Sequence, residues 1–157
     1  MNVQQKNKEK GFTIIEVVLV LAIAALIFLM VFIALPALQR SQRDTQRKND
    51  LGRVQTAVQN YQSNNRNKVP DSGTLTGGTF ISQYLTVGGD TFADPDGTAY
   101  DFKAGTAGAL TSAFTSGQII FVPGATCDGE KSVGGAGSSK IAFQYKLEGG
   151  GVACVSN

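Results

Sequence analysis

Histidine is absent from this 157-residue chain, and that gap removes the side chain that most often serves as a general base. Only two cysteines occur, Cys127 and Cys154, so a thiolate shell for zinc is excluded as well. No nucleophile motif is present, and the Gly-Gly pairs lack any phosphate-loop pattern. These absences give catalysis no support, and the chain is not expected to be an enzyme. The two cysteines lie in the C-terminal third among glycines. In an exported domain such a pair more often forms a disulfide than a reactive site. The bridge would stabilise its domain by roughly 3–4 kcal/mol on the chain-entropy account.

Charge is missing from one long stretch. Residues 17–35 are 19 consecutive apolar residues without a charge or a proline. As a helix they would reach roughly 28 Å, close to the hydrocarbon thickness of a bilayer. A helix apolar on every face is rarely needed in a soluble domain of this size. The net charge of +2 is located entirely before that stretch. Setting aside Lys6, Lys8, Lys10 and Glu9 leaves eleven charges of each sign. Within this neutral remainder, residues 39–68 are basic and the region from Val69 onward is acidic.

Three readings of the N-terminus compete. A secretory signal also starts basic and apolar, and Ala22-Ile23-Ala24 offers an A-x-A cleavage sequence. The apolar run continues to Leu35, however, and Glu16 falls inside the would-be signal core. A plain membrane anchor explains the run but not the order Gly11, Phe12, Glu16. Lys10-Gly11-Phe12-Thr13-Ile14-Ile15-Glu16 followed by the uninterrupted run resembles the class III signal of type IV prepilins and type II secretion pseudopilins. The resemblance implies cleavage between Gly11 and Phe12, with N-methylation of Phe12 by the same prepilin peptidase. It assigns Glu16 to register during assembly, through the N-terminal amine of a neighbouring subunit. A carboxylate in an apolar segment is costly and is by default a functional residue.

The resemblance also implies a single-pass precursor in the cytoplasmic (inner) membrane, with a cytoplasmic leader and an exported head. Its partners would be further copies of itself, membrane lipid, the peptidase, and an assembly platform with its ATPase. The assembled fibre would lie at the cell surface. Three roles stay open: pilin, pseudopilin of a secretion or competence system, and non-polymerising membrane-anchored binding domain. Nucleic acid is not indicated, because the head is acidic.

The expected organisation is a leader at 1–11, an assembly helix at 12–38, a helical stem at 39–68 and a head at 69–157. The fold class is α+β, a pilin fold with the long helix packed on a small antiparallel sheet. Pro36 predicts a kink. Arg40–Asp44, Asp44–Lys48 and Arg47–Asp50 are spaced as helical ion pairs, so residues 39–50 read as a solvated connector. The alternative is a basic surface that meets acidic heads of neighbours. Leu51, Val54, Ala57, Val58 and Tyr61 form an apolar stripe, and Asn64-Asn65 with Val69-Pro70 end the helix. The pattern from Arg43 to Pro70 also resembles the stems of small pilin-like proteins. A helical turn is expected at Phe80–Leu85, with strands at 98–103, 117–122, 139–147 and 151–155. Glu148-Gly149-Gly150-Gly151 reads as a hairpin connection. A bridge from Cys154 to Cys127 would pin a loop at 128–138, similar to the family's disulfide-bounded C-terminal region. No cofactor is expected beyond one ion. Asp90, Asp94, Asp96 and Asp101 form the only carboxylate cluster, and calcium is conceivable there. Asp94-Pro95-Asp96-Gly97 is also a good turn sequence.

Overall fold

The computed structural model describes residues 11–108, 110 and 115–157. The charged residues of the expected leader, at 6 and 8–10, lie outside them. The chain divides into two compact units after Leu38. Helix α1 (Ile14–Asn64) supplies the described helix of the first unit and the opening element of the second.

In the first unit, α1 is apolar on all sides and long enough to cross a membrane. Its side chains are exposed around the whole circumference, from Ile14 to Leu35. The helix continues unbroken through Pro36. Proline there removes its own N–H from the hydrogen-bond ladder.

In the second unit, α1 buries one stripe. Leu51, Val54, Ala57 and Val58 face the core, and Tyr61 packs at its margin. Helix α1 ends at Asn64, and Arg66 and Asn67 turn the chain with left-handed backbone (φ 53° and 62°). A short helix, α2 (Ser72–Thr76), follows, capped by the Asp71 side chain accepting from Thr74 N–H at 2.7 Å. A π-helical turn at Ile81–Leu85 fulfils the expected helical spacing there.

The strands are β1 (Asp101–Ala104), β2 (Gln118–Pro123), β3 (Ala125–Asp128), β4 (Lys131–Gly134), β5 (Ile141–Lys146) and β6 (Val152–Ser156). The main sheet runs β1-β2-β5-β6. The β2–β5 and β5–β6 pairs are antiparallel, as expected, whereas β1 and β2 run parallel. Alternation along β2 decides how the sheet is covered. Ile119 and Phe121 join the α1 stripe with Phe80, Phe102 and Phe143. Ile120 and Val122 point to the other face, where Ala125 and Ala142 complete a second apolar cluster. That second cover is the β3–β4 hairpin, which occupies much of the stretch expected to be a loop. Gly129 (φ 60°) is the first of its two turn residues, the position that a II′ turn reserves for glycine.

Cys127 on β3 and Cys154 on β6 form a disulfide, with Cα atoms 5.8 Å apart. The bridge ties the small hairpin to the edge of the main sheet rather than closing an irregular loop. Replacing both cysteines by serine should lower unfolding free energy by about 3–4 kcal/mol. Thermal unfolding of the full chain in detergent checks this, with the oxidised wild type as reference.

Candidate functional site

Two groups of polar residues stand out, one in each unit. At the start of α1, Gly11, Phe12 and Thr13 are exposed and non-helical, and the helix begins at Ile14. Thr13 N–H and Thr13 Oγ1–H both donate to Glu16 Oε2 at 2.8 Å. Glu16 N–H returns a longer bond, 3.4 Å, to Thr13 Oγ1. This reciprocal arrangement is a capping box, and the Thr-x-x-Glu spacing that signals it is legible in the sequence. The resemblance assigns Glu16 to assembly. The structure adds that its carboxylate satisfies the exposed donors of its own helix start. Both Thr13 donors fall on the same carboxylate oxygen, Oε2.

In the second unit a guanidinium lies in the interior. Arg47 is 2% exposed and Asp94 3%. Arg47 Nε and Nη2 donate to Asp94 Oδ2 and Oδ1 at 2.8 and 2.7 Å, a two-point fork. Its Nη1 donates to Asp44 Oδ1 at 3.1 Å, and Nη2 also approaches Glu148 Oε1 at 3.4 Å. The guanidinium lies 5.6 Å from the ring centroid of Tyr145. Tyr145 O–H donates to Asp94 Oδ2 and accepts from Gly117 N–H at 2.9 Å. Asp44 accepts Glu148 N–H at 2.9 Å and Gly149 N–H at 2.7 Å, holding the β5–β6 turn to the helix. Arg43 adds a pair to Glu148 at 2.7 Å nearer the surface.

The solvated connector expected at residues 39–50 is corrected by this geometry. Asp44 and Arg47 are buried, and none of the three predicted helical pairs is among the ion pairs of the described residues. Arg47 instead reaches back to Asp44, and Arg53 reaches back to Asp50 at 3.3 Å. Buried acceptors outcompete exposed ones, because a charge removed from water gains most from a fixed partner.

The four aspartates considered for calcium are separated by the same logic. Asp94 is committed to Arg47 and Tyr145. Asp96 accepts Ser116 O–H at 2.5 Å and Thr98 N–H at 2.8 Å. Asp90 lies 3.8 Å from Arg53, and Asp101 pairs with Lys103 at 2.9 Å on the surface of β1. Among the described residues no three His, Cys, Asp or Glu side chains are grouped to hold a metal. The Asp94–Gly97 turn itself forms, closed by Gly97 N–H to Asp94 C=O at 2.8 Å.

Electrostatics follow from these contacts. Burial pushes the Tyr145 hydroxyl up, and its bond to Asp94 adds to that shift. Burial alone would raise Asp44, but the Gly149 and Glu148 N–H groups and Arg47 together hold it below the usual carboxylate range. The Arg43 guanidinium lowers Glu148 likewise. Such depressed carboxylates add stability above their unfolded pKa and lose it as pH falls through the folded one. The melting midpoint should therefore be flat between about pH 5 and about pH 9 and fall below about pH 4, the acid fall being less steep in Asp44→Asn. Arg47→Met should cost about 3–5 kcal/mol, because it strands Asp94 without a counter-charge. Adding Asp94→Leu should recover part of that loss, which chemical denaturation of the two variants would show.

Comparison with known proteins bears on the first group. The family described as the prokaryotic N-terminal methylation motif matches residues 6–32. No curated protein and no solved structure matches the chain. The matched segment contains Gly11, Phe12, the Thr13–Glu16 box and most of the apolar run. The chain thus carries the prokaryotic N-terminal methylation motif at residues 6–32, which supports the resemblance to a class III signal.

Proposed function

We propose that this protein is a structural subunit, cut between Gly11 and Phe12 and polymerised through its N-terminal helix into a type IV pilus-like filament. The observation that carries the reading is the matched motif, in which Gly11-Phe12 lies in exposed, non-helical backbone just before the capping box. A peptidase needs extended, accessible backbone, and this is where α1 has not yet begun. After the cut the new amine belongs to Phe12, four residues before Glu16.

Thr13 engages Glu16 through Oε2, and Oε1 is left to accept the amine of a neighbouring copy. Withdrawn from water among apolar helices, that pair would be strong, and an unmatched Glu16 would be penalised. Helix-to-helix contacts would then replace lipid contacts along residues 17–35. The role is structural rather than catalytic. Before assembly the subunit would sit in the cytoplasmic membrane, with the peptidase and an assembly platform as its partners.

Intact mass of the purified protein should show loss of residues 1–11 and one added methyl group at Phe12. Sheared cells should yield fibres containing this chain, and Glu16→Ala should abolish them while leaving processing intact. Uncut protein, or normal fibres from Glu16→Ala, would refute the reading. A processed chain that never appears in sheared material would point to a pseudopilin or a plain anchor.

A further inference from the structure

The ion pairs within the second unit decide which charges remain for other molecules. Arg43, Arg47 and Arg53 of α1 are all engaged with acids of their own chain. Arg40 and Lys48 are exposed and make no ion pair among the described residues. They lie eight residues apart, which on a helix places them about 12 Å from each other and within a quarter turn. Their sign is what the original contrast of basic stem and acidic head requires, but only these two residues of 39–50 are free to act on it.

On the acidic side, most carboxylates are likewise engaged. Asp44, Asp50, Asp90, Asp94, Asp101 and Glu148 face cations of their own chain. Asp71 caps α2, and Asp96 is held by Ser116 and Thr98. Asp128 and Glu130 remain, at the turn of the β3–β4 hairpin, both exposed and without an ion pair among the described residues. Lys131 sits opposite Asp128 in the hairpin register but forms no ion pair with it, and with two acids to one lysine the tip is net negative.

We propose that the β3–β4 tip of one subunit docks on α1 of a second copy, with Asp128 and Glu130 meeting Arg40 and Lys48. This contact rests on the polymerisation reading and assigns it a lateral, charge-steered component beside the apolar helices. Two cations and two acids of one chain, none in an ion pair among the described residues, are left to satisfy one another across a copy boundary. Arg66 and Lys68 fit the role less well, because their groove already contains Asp71. Lys140 is engaged by the Asn157 main-chain carbonyl at 2.8 Å. Exposed pairs of this kind contribute modestly and are screened by salt, while apolar helix contacts are not. The tip contact therefore sets register and partner choice more than cohesion.

The experiment is a charge swap in cells, read as fibre yield after shearing. Arg40→Glu with Lys48→Glu, and separately Asp128→Lys with Glu130→Lys, should each lower yield by roughly an order of magnitude. All four changes together should restore it, and extraction at about 1 M salt should shorten wild-type fibres. Melting midpoints of the purified variants should match the wild type, because none of the four residues is buried. Wild-type yield from the charge-reversed pairs, or no recovery in the quadruple variant, overturns the contact while leaving polymerisation standing. No fibres from the unaltered chain would overturn the polymerisation reading and the contact with it.

Discussion

A guanidinium clamped by carboxylates in the interior organises the second unit. Arg47 reaches Asp94, 47 positions further along the chain, through two parallel hydrogen bonds. Asp94 in turn fixes Tyr145 on β5, and Tyr145 fixes the chain at Gly117 just before β2. Asp44, one turn before Arg47, holds the β5–β6 turn by its backbone. An apolar cluster of similar volume could be as stable, since desolvating two charges consumes most of what their attraction returns. What the ion pair adds is direction. Apolar packing tolerates a helix that slides or rotates by a residue, whereas a planar fork with two fixed acceptors does not.

Much of this arrangement was legible in the residues, and the rest fails for definable reasons. The stripe from Leu51 to Val58 follows from periodicity, and the strands expected at 117–122, 139–147 and 151–155 form, within one or two residues at each end, at Gln118–Pro123, Ile141–Lys146 and Val152–Ser156. The β3–β4 hairpin was hidden because its strands are four residues each and mostly small or polar, Ala-Thr-Cys-Asp and Lys-Ser-Val-Gly. It is stabilised by covering Ile120 and Val122 and by the disulfide, neither of which is a local property. The parallel β1–β2 pair was equally invisible, since a crossover depends on the path between strands rather than on their composition.

The charged residues show the same boundary between local and distant information. Helical spacing correctly locates Asp44, Arg47 and Asp50 on α1, yet says nothing of which neighbours are buried. Arg47 carries no sequence mark separating it from Arg40 or Arg43. Only the depth of the α1 stripe does so, because Arg47 sits one turn before Leu51 on the inward face. The Thr13–Glu16 box is the opposite case. Its spacing states a helix start outright, independently of any assembly role for Glu16.

That box has a consequence for maturation. Every group that closes the start of α1 belongs to Thr13 or to a residue after it. A cut before Phe12 removes none of them, so the helix has the same beginning in precursor and mature chain. Under the proposed processing, the cut would change the charge and reach of the N-terminus while keeping the groups that close the helix start. It would remove a basic extension and leave a compact amine on Phe12, next to the Thr13 cap of a helix already closed by its own residues.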